Sequence, residues 1–337
     1  MSVTLKDIAK ETEFDVSTVS RVLNGYADKH GISESTRRLI LQVANDLGYR
    51  PNKLAQGLRL QETKTIGIIL PDISNPFFAT ITRSTQETLN EHGYSLIVNN
   101  SGGSIDSEKE YINLMYSWDV DGIIIIPTGG EDQHIRHIHE EGKPLVFVDR
   151  YIEDIDIPSV TLNNYKGALD ATNHLIAKGH RRTALVQGSE ETSTNKERVK
   201  GYKDALSQNG IYFDESLVVG GSFGKASGYR ASSKLLDMDQ SPTAILALSD
   251  MITIGVLRAV NERDISIPDD ISIISFDDIQ FAPFMESPLT TVSQPTEEMG
   301  VKGAQLILSI LNGNDEIEEE STVFDPKLTI RESVKEV

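Results

Sequence analysis

The sequence has 337 residues, a formal net charge of −19, 38% apolar residues and no cysteine. This length and apolar content are enough for two or three domain cores, whereas the lack of cysteine excludes a disulfide framework and a thiolate zinc site. The charged amino terminus and the short apolar runs favour a cytoplasmic protein without a signal peptide or membrane segment.

The charge is unevenly distributed along the chain. Residues 1–60 contain nine Lys and Arg against seven Asp and Glu, a net charge of +2, and the remaining residues carry −21. A mildly basic head on an acidic body would confine any contact with nucleic acid phosphates to the head.

Three short helices are predicted within residues 1–49. Thr4 with Asp7 three positions later is a variant capping box, and Asp15 and Ser33 are N-cap candidates for the second and third helices. Gly25 would end the second helix. Because the first two helices are joined by about four residues, the pattern is typical of a helix-turn-helix domain.

Residues 50–62 separate this head from the rest of the chain. Pro51 disfavours helix at the preceding residue, so the third helix should end near Tyr49. The segment that follows is too short for a stable isolated helix, and Gly57 lowers its helix propensity. It is either an inert linker or a segment that becomes ordered on a partner.

From Thr65 onward, short apolar runs alternate with amphipathic stretches of about 12–18 residues, which predicts parallel doubly wound sheets. The apolar runs are Ile66–Leu70, Leu96–Val98, Ile123–Ile126, Leu145–Val148, Ala184–Val186, Leu217–Val219, Ala244–Leu248 and Ile271–Phe276. Eight such runs exceed what one unit needs, so we predict two α/β lobes behind an all-α head. The predicted domains are 1–49 for the head, 50–62 for the hinge and 63–337 for the body. Within the body, the predicted lobes are about 65–160 plus 291–320, and 163–290 plus 321–331.

Several motifs together are similar to those of the LacI/GalR bacterial repressors, and the resemblance covers essentially the whole chain. They are Thr18-Val-Ser-Arg-Val-Leu-Asn24, Leu47-Gly-Tyr-Arg-Pro-Asn52, Thr65-Ile-Gly-Ile-Ile-Leu-Pro-Asp-Ile-Ser-Asn-Pro-Phe-Phe78, Arg198-Val-Lys-Gly201, Ser275-Phe-Asp277 and Thr290-Thr-Val-Ser-Gln294. The resemblance implies a homodimeric repressor that binds a palindromic operator in double-stranded DNA. It also implies a body of periplasmic-binding-protein type that binds a small, sugar-like effector, with no cofactor.

The first turns of a recognition helix face the base edges in the major groove, which nominates Val16, Ser17 and Arg21 for base reading. The alternatives are a core or staple role for Val16 and a solvated role for Arg21. The resemblance further assigns DNA-backbone contacts to Thr18, Ser20 and Asn24, and minor-groove contacts to Ala55 and Leu58 of the hinge.

The head departs from the family pattern at three places. Glu13 replaces the usual turn glycine and would be strained if that position requires a positive φ. Asp15 caps the helix as well as serine does but brings a negative charge near phosphate. Residues 26–32 are a few residues longer than in relatives.

Doubly wound folds bind ligands at the carboxyl ends of their strands, so the effector is expected in the cleft between the lobes. Aromatic rings there can stack on a sugar, while carboxylates and guanidinium groups can bind vicinal hydroxyls. Phe78 could instead be plain core, and Asp277 could merely cap a loop. Ser249 stands where ribose-binding relatives have Asn. The predicted effector contacts are Asn75, Phe77, Phe78, Asp149, Arg150, Arg198, Phe223, Ser249, Asp277 and Gln294.

A sugar-acting enzyme and a solute-binding module are the alternative classes of function. An enzyme acting on a sugar is disfavoured because the sequence has no Walker A loop, dinucleotide fingerprint or nucleophile elbow, and no metal-ligand spacing among its seven histidines. A solute-binding module would require export. The remaining alternative is the same architecture with a non-sugar effector such as a nucleobase.

Overall fold

The computed structural model describes residues 3–49, 62–313 and 321–337, and the chain divides into two units, Met1–Thr63 and Lys64–Val337. The predicted hinge contacts Ala55 and Leu58, and the acidic run 315–320, lie outside the described residues. Among the residues described, no helix is long and apolar enough to cross a membrane.

The head is a bundle of three α-helices, α1 (Leu5–Thr12), α2 (Val16–Leu23) and α3 (Glu34–Asp46). The predicted caps are confirmed: the Asp15 carboxylate accepts a hydrogen bond from the Ser17 amide at 2.8 Å, and the Ser33 hydroxyl accepts one from the Thr36 amide at 3.2 Å. Buried apolar residues of the three helices, with Ala27 from the segment between α2 and α3, form one core. The helical members are Ile8, Ala9, Val19, Val22, Ile40 and Ala44.

The predicted end of the third helix near Tyr49 was wrong. The helix ends at Asp46, because Gly48 has a φ of 68° and so takes the chain out of the helix before Pro51 is reached.

The first lobe of the body is built on a six-stranded, entirely parallel sheet with strand order β11-β5-β4-β3-β1-β2. Its strands are β1 (Thr65–Leu70), β2 (Ser95–Asn100), β3 (Gly122–Ile125), β4 (Leu145–Val148), β5 (Ser159–Leu162) and β11 (Ser321–Phe324). Its helices are α4 (Pro76–Glu91), α5 (Ile105–Ser117), α6 (Gln133–Glu140) and α11 (Thr296–Leu311).

The second lobe has a six-stranded sheet with strand order β12-β10-β9-β8-β6-β7, in which only the edge strand β12 runs antiparallel to its neighbour. Its strands are β6 (Thr183–Gln187), β7 (Val218–Gly220), β8 (Ala244–Ala247), β9 (Ser272–Phe276), β10 (Thr290–Ser293) and β12 (Lys327–Thr329). Its helices are α7 (Asn164–Ala177), α8 (Ser193–Gln208), α9 (Lys225–Leu236) and α10 (Asp250–Asn261).

The chain passes between the lobes three times, and this corrects the predicted lobe boundaries. Residues 291–293 were predicted in the first lobe, but β10 lies in the second sheet; residues 321–324 were predicted in the second lobe, but β11 lies in the first sheet. Between them α11 returns to the first lobe and packs on α4, where the Thr85 hydroxyl donates to the Gly300 carbonyl at 3.1 Å. Pairing and packing, rather than local pattern, decide which lobe these segments join.

His180 is fully buried in the second lobe, near the carboxyl-terminal residues, and its Nδ1 lies 2.9 Å from the Thr243 hydroxyl. Burial lowers the pKa of His180 below its ordinary value. The unfolded chain therefore binds a proton more readily than the folded one, so His180 contributes stability above pH 6.5 that is lost as the pH falls through its lowered pKa.

We expect His180→Asn to flatten the fall in the free energy of unfolding between pH 7 and pH 5. The measurement is chemical denaturation at several pH values, at one protein concentration. His137→Asn is the matched control, since the side chain of His137 is 70% exposed. Equal pH slopes in all three proteins would show that His180 does not carry the effect.

Candidate functional site

The outer face of α2 presents the side chains that were predicted to read bases. Val16 is 38% exposed, and Ser17 and Arg21 are exposed beside it, whereas Val19 and Val22 face the core of the head. The alternative of Val16 as a core residue is therefore wrong. Base reading by these three residues stays a prediction.

The residues predicted to contact the DNA backbone lie at the edges of the same face. Thr18 and Ser20 are half-buried, and Asn24 is exposed just after the end of α2. The Asn24 side-chain amide donates to the Ser20 carbonyl at 2.7 Å and lies 3.1 Å from the Ser20 hydroxyl. These bonds fix the last turn of α2, and the contacts with phosphate stay predictions.

Glu13 occupies the turn between α1 and α2 with φ 56° and ψ 21°, the left-handed region. The predicted conflict at this position is real, because a residue with a Cβ atom is disfavoured there by about 1–2 kcal/mol. Glycine would remove that cost, although it is more flexible than glutamate in the unfolded chain.

Glu13→Gly should therefore stabilise the head by about 1 kcal/mol or less, measured by slower hydrogen exchange of the α1 and α2 amides in the full chain. Glu13→Ala removes the carboxylate but keeps Cβ, so it should give no such protection. Equal protection in both variants would assign the effect to charge instead of backbone strain.

All ten predicted effector residues line one cavity between the two lobes of the body, together with Thr194 and Asp250. Most of them follow the carboxyl ends of strands, as expected for a doubly wound fold. Asp149 and Asp277 occupy corresponding positions after β4 and β9, and both have a left-handed backbone, with φ 66° and 74°.

Arg150 fills the middle of the cavity. Its guanidinium carbon lies 5.9 Å from the centre of the Phe78 ring and 5.0 Å from that of Phe223. The guanidinium donates to the Pro127 carbonyl at 3.1 Å, and its Nε lies 3.5 Å from the Asp149 carboxylate. Phe78 belongs to the core of the first lobe and also forms the cavity wall, so its two alternative roles coexist.

Arg198 is buried on the opposite side of the cavity, on α8. Its guanidinium stacks on the Phe276 ring at 3.7 Å and donates to the Asn164 side-chain oxygen at 2.8 Å and to the Leu248 carbonyl at 2.7 Å. Burial lowers the pKa of Arg198, and the nearby Asp277 carboxylate opposes this shift. Arg198 therefore supports the second lobe as well as the cavity.

Two buried carboxyl groups of the cavity have raised pKa values. Burial raises the pKa of Asp149 to about 6, against the opposing effect of the Arg150 charge. Burial and the charge of Asp277 raise the pKa of Asp250 to about 7. Shifted pKa values of several ionisable groups in one cleft are typical of functional sites.

The lobes lie closed around the cavity, which has a volume of about 30 Å3, room for about one water molecule. Among the residues that the structure describes, three hydrogen bonds cross the cleft. The Asn75 amide donates to Asp250 at 3.1 Å, the Tyr151 hydroxyl donates to Glu197 at 2.9 Å, and the Tyr151 amide donates to the Ser193 hydroxyl at 3.1 Å. A ligand larger than water can enter only if the lobes separate.

Two residues of the cavity wall, Asp250 and Thr194, were not among the predicted effector contacts. Asp250 directly follows Ser249 at the end of β8, so its position after a strand was an available signal. Ser249 itself caps α10, where its hydroxyl accepts from the Ile252 amide at 3.1 Å. Thr194 lies in the first turn of α8, and only the packing of the lobes brings it to the cavity.

Comparisons with known proteins agree with this architecture. The family model described as "Bacterial regulatory proteins, lacI family" matches residues 4–52, and "Periplasmic binding proteins and sugar binding domain of LacI family" matches residues 63–328. The chain is 34% identical to catabolite control protein A of Priestia megaterium, covering 99% of this chain and 100% of the relative. It is 36% identical to the HTH-type transcriptional regulator RegA of Clostridium saccharobutylicum, covering 99% of both.

Solved structures show the same fold. The cellobiose complex of the transcriptional regulator CelR aligns with a TM-score of 0.75 and 29% identity, covering 98% of this chain and 99% of that one. The Lac repressor dimer bound to operator aligns with a TM-score of 0.88 and 24% identity, covering 99% and 100%.

A helix-turn-helix head followed by a two-lobed α/β body defines a class of DNA-binding transcription regulators rather than enzymes. The chain belongs to the LacI family of these regulators.

Proposed function

We propose that this regulator represses genes of sugar utilisation by binding a palindromic operator as a homodimer, and that a sugar-like effector in the cleft between the lobes controls its binding. The observation that supports this best is the cavity at the strand ends, where aromatic rings, carboxylates and guanidinium groups converge. Aromatic rings can stack on the apolar face of a sugar, and one carboxylate or guanidinium group can bind two neighbouring hydroxyls of the sugar.

The cross-lobe hydrogen bonds support control by a ligand. Closure that depends on a few side-chain bonds can be shifted by any ligand that binds the open and closed forms with different affinity. The CelR relative was solved with cellobiose, and another LacI family regulator, from Enterococcus faecium, was solved with ribose at 29% identity.

A nucleobase is the second candidate for the effector. Arg150 places a planar, delocalised group between the rings of Phe78 and Phe223, and a planar base could occupy the same slot if the arginine moved aside. This candidate predicts that purines or pyrimidines, instead of sugars, stabilise the protein.

A thermal-shift panel of sugars, purines and pyrimidines tests these candidates. A ligand present at 100 times its Kd should add about 2.7 kcal/mol of stability. Stabilisation by sugars alone supports the sugar effector, whereas stabilisation by bases alone replaces it with the nucleobase. If no compound of the panel stabilises the protein, the assignment of the effector class fails.

A further inference from the structure

Asp250 carries a buried carboxylate on the wall of the cavity between the lobes. It is 5% exposed, and its Oδ1 accepts from the Met251 amide at 2.6 Å and from the Asn75 side chain at 3.1 Å. Within the described part of the chain, no Lys, Arg or His nitrogen pairs with it and no hydrogen bond reaches its Oδ2. An unpaired buried charge is costly, and this side chain lies on the cavity wall.

The cavity as a whole carries an excess of negative charge. Three carboxylates, those of Asp149, Asp250 and Asp277, line it together with two guanidinium groups, those of Arg150 and Arg198. Asp149 lies 3.5 Å from Arg150, whereas neither Asp250 nor Asp277 forms an ion pair with a basic side chain within the described residues. Arg198 is the cation that acts on both of these carboxylates, so the two share a single positive charge.

A second cavity of about 290 Å3 adjoins the first, and Asp250 lines both of them. The two cavities share Phe77, Asp250, Asp277 and Gln294 in their walls. The second contains no Lys or Arg among its lining residues, and its remaining carboxylate, Asp278, is neutralised by Arg331 at 3.0 Å. The Phe77 ring adds a face suited to a cation.

From these features we infer that Asp250 determines ligand specificity, by binding a cationic amine that the effector carries at the junction of the two cavities. Asp277 lies beside it and accepts from the Asp250 amide at 3.2 Å, so the cation would face two carboxylates. An amino sugar is the chemical class that combines such an amine with the hydroxyls for which the cavity is suited. This inference rests on the proposed sugar effector and narrows it.

The raised pKa of Asp250, about 7, agrees with the geometry. Burial and the charge of Asp277 oppose the ionised form of Asp250, whereas the hydrogen bonds from Met251 and Asn75 and the charge of Arg198 favour it. A cation bound beside Asp250 would favour its ionised form further. A sugar phosphate or sugar acid would add to the excess of negative charge and should bind weakly.

The test compares matched sugars by titration calorimetry on the full chain: glucosamine with glucose, galactosamine with galactose, and mannosamine with mannose, with glucose 6-phosphate as the anion. At least one amino sugar should bind about tenfold or more tightly than its neutral parent. The preference should disappear in Asp250→Asn, which keeps an acceptor for the Met251 amide, and in Asp277→Asn as a second variant. It should persist in the control Asp214→Asn, whose carboxylate pairs with Arg182 at 3.0 Å and lines neither cavity.

Equal or tighter binding of the neutral parents overturns the inference, and so does an amine preference that survives in Asp250→Asn. In either case a neutral sugar that binds in the cleft leaves the proposed sugar effector standing. If no member of any pair binds, the amino-sugar inference fails, and the sugar-effector proposal then depends on the wider panel.

Discussion

Replacement of Arg198 by alanine should lower the free energy of unfolding of the body by about 3–5 kcal/mol. Arg198 is 3% exposed, and its guanidinium holds the Asn164 oxygen and the Leu248 carbonyl while stacking on Phe276. Its loss leaves two buried acceptors unpaired. It also removes a positive charge that interacts with the Asp277 carboxylate.

Chemical denaturation followed by circular dichroism measures this loss. Arg182→Ala is the matched control, because Arg182 pairs with Asp214 at 3.0 Å but its side chain is 32% exposed. Arg182→Ala should lower the free energy of unfolding by about 1 kcal/mol or less. If Arg198→Ala were no more destabilising than the control, Arg198 would not support the fold, and loss of the effector response in that variant could be read directly as loss of a ligand contact.

Arg21→Ala should weaken binding to the specific operator by about 1–3 kcal/mol while leaving binding to random DNA nearly unchanged. Arg21 is exposed on the outer face of α2, one turn beyond Val16 and Ser17. Its long side chain can form two hydrogen bonds with the edge of a guanine in the major groove.

Affinities for both DNAs, measured at one salt concentration, decide the role of Arg21. Arg38→Ala is the control in the same unit, because Arg38 is an exposed arginine that pairs with Glu34 along α3 at 3.1 Å. An equal loss on specific and random DNA would make Arg21 a phosphate contact instead.

The sequence allowed most strands to be predicted because their signal is local. Parallel strands buried on both faces are continuous apolar runs, such as those of β1 and β4, and these were found at their observed places. The strand β5, Ser159–Leu162, was not predicted because half of its residues are polar and it does not form a continuous apolar run. The strands β10 and β11 were assigned to the wrong lobe, since their lobe depends on pairing between residues far apart in sequence.

Prediction of the cavity lining succeeded for a similar reason. Strand ends converge in a doubly wound fold, so residues such as Asp149 and Asp277 could be placed together before any packing was known. The sequence pattern does not predict how the side chains that line the cavity contact one another. Neither the position of Arg150 between two rings nor the unpaired carboxylate of Asp250 follows from spacing, because both depend on how the lobes close.

The central claim is that a ligand in the cleft between the lobes controls specific DNA binding. The most direct test is the affinity of the full-length protein for an operator selected from random palindromes, measured with and without the sugar that stabilises it, at one salt concentration. We expect the ligand to change that affinity roughly 5–150-fold, a coupling of about 1–3 kcal/mol, and to leave binding to random DNA unchanged. An operator affinity that does not respond to a bound sugar, or the absence of any preference over random DNA, would contradict the claim.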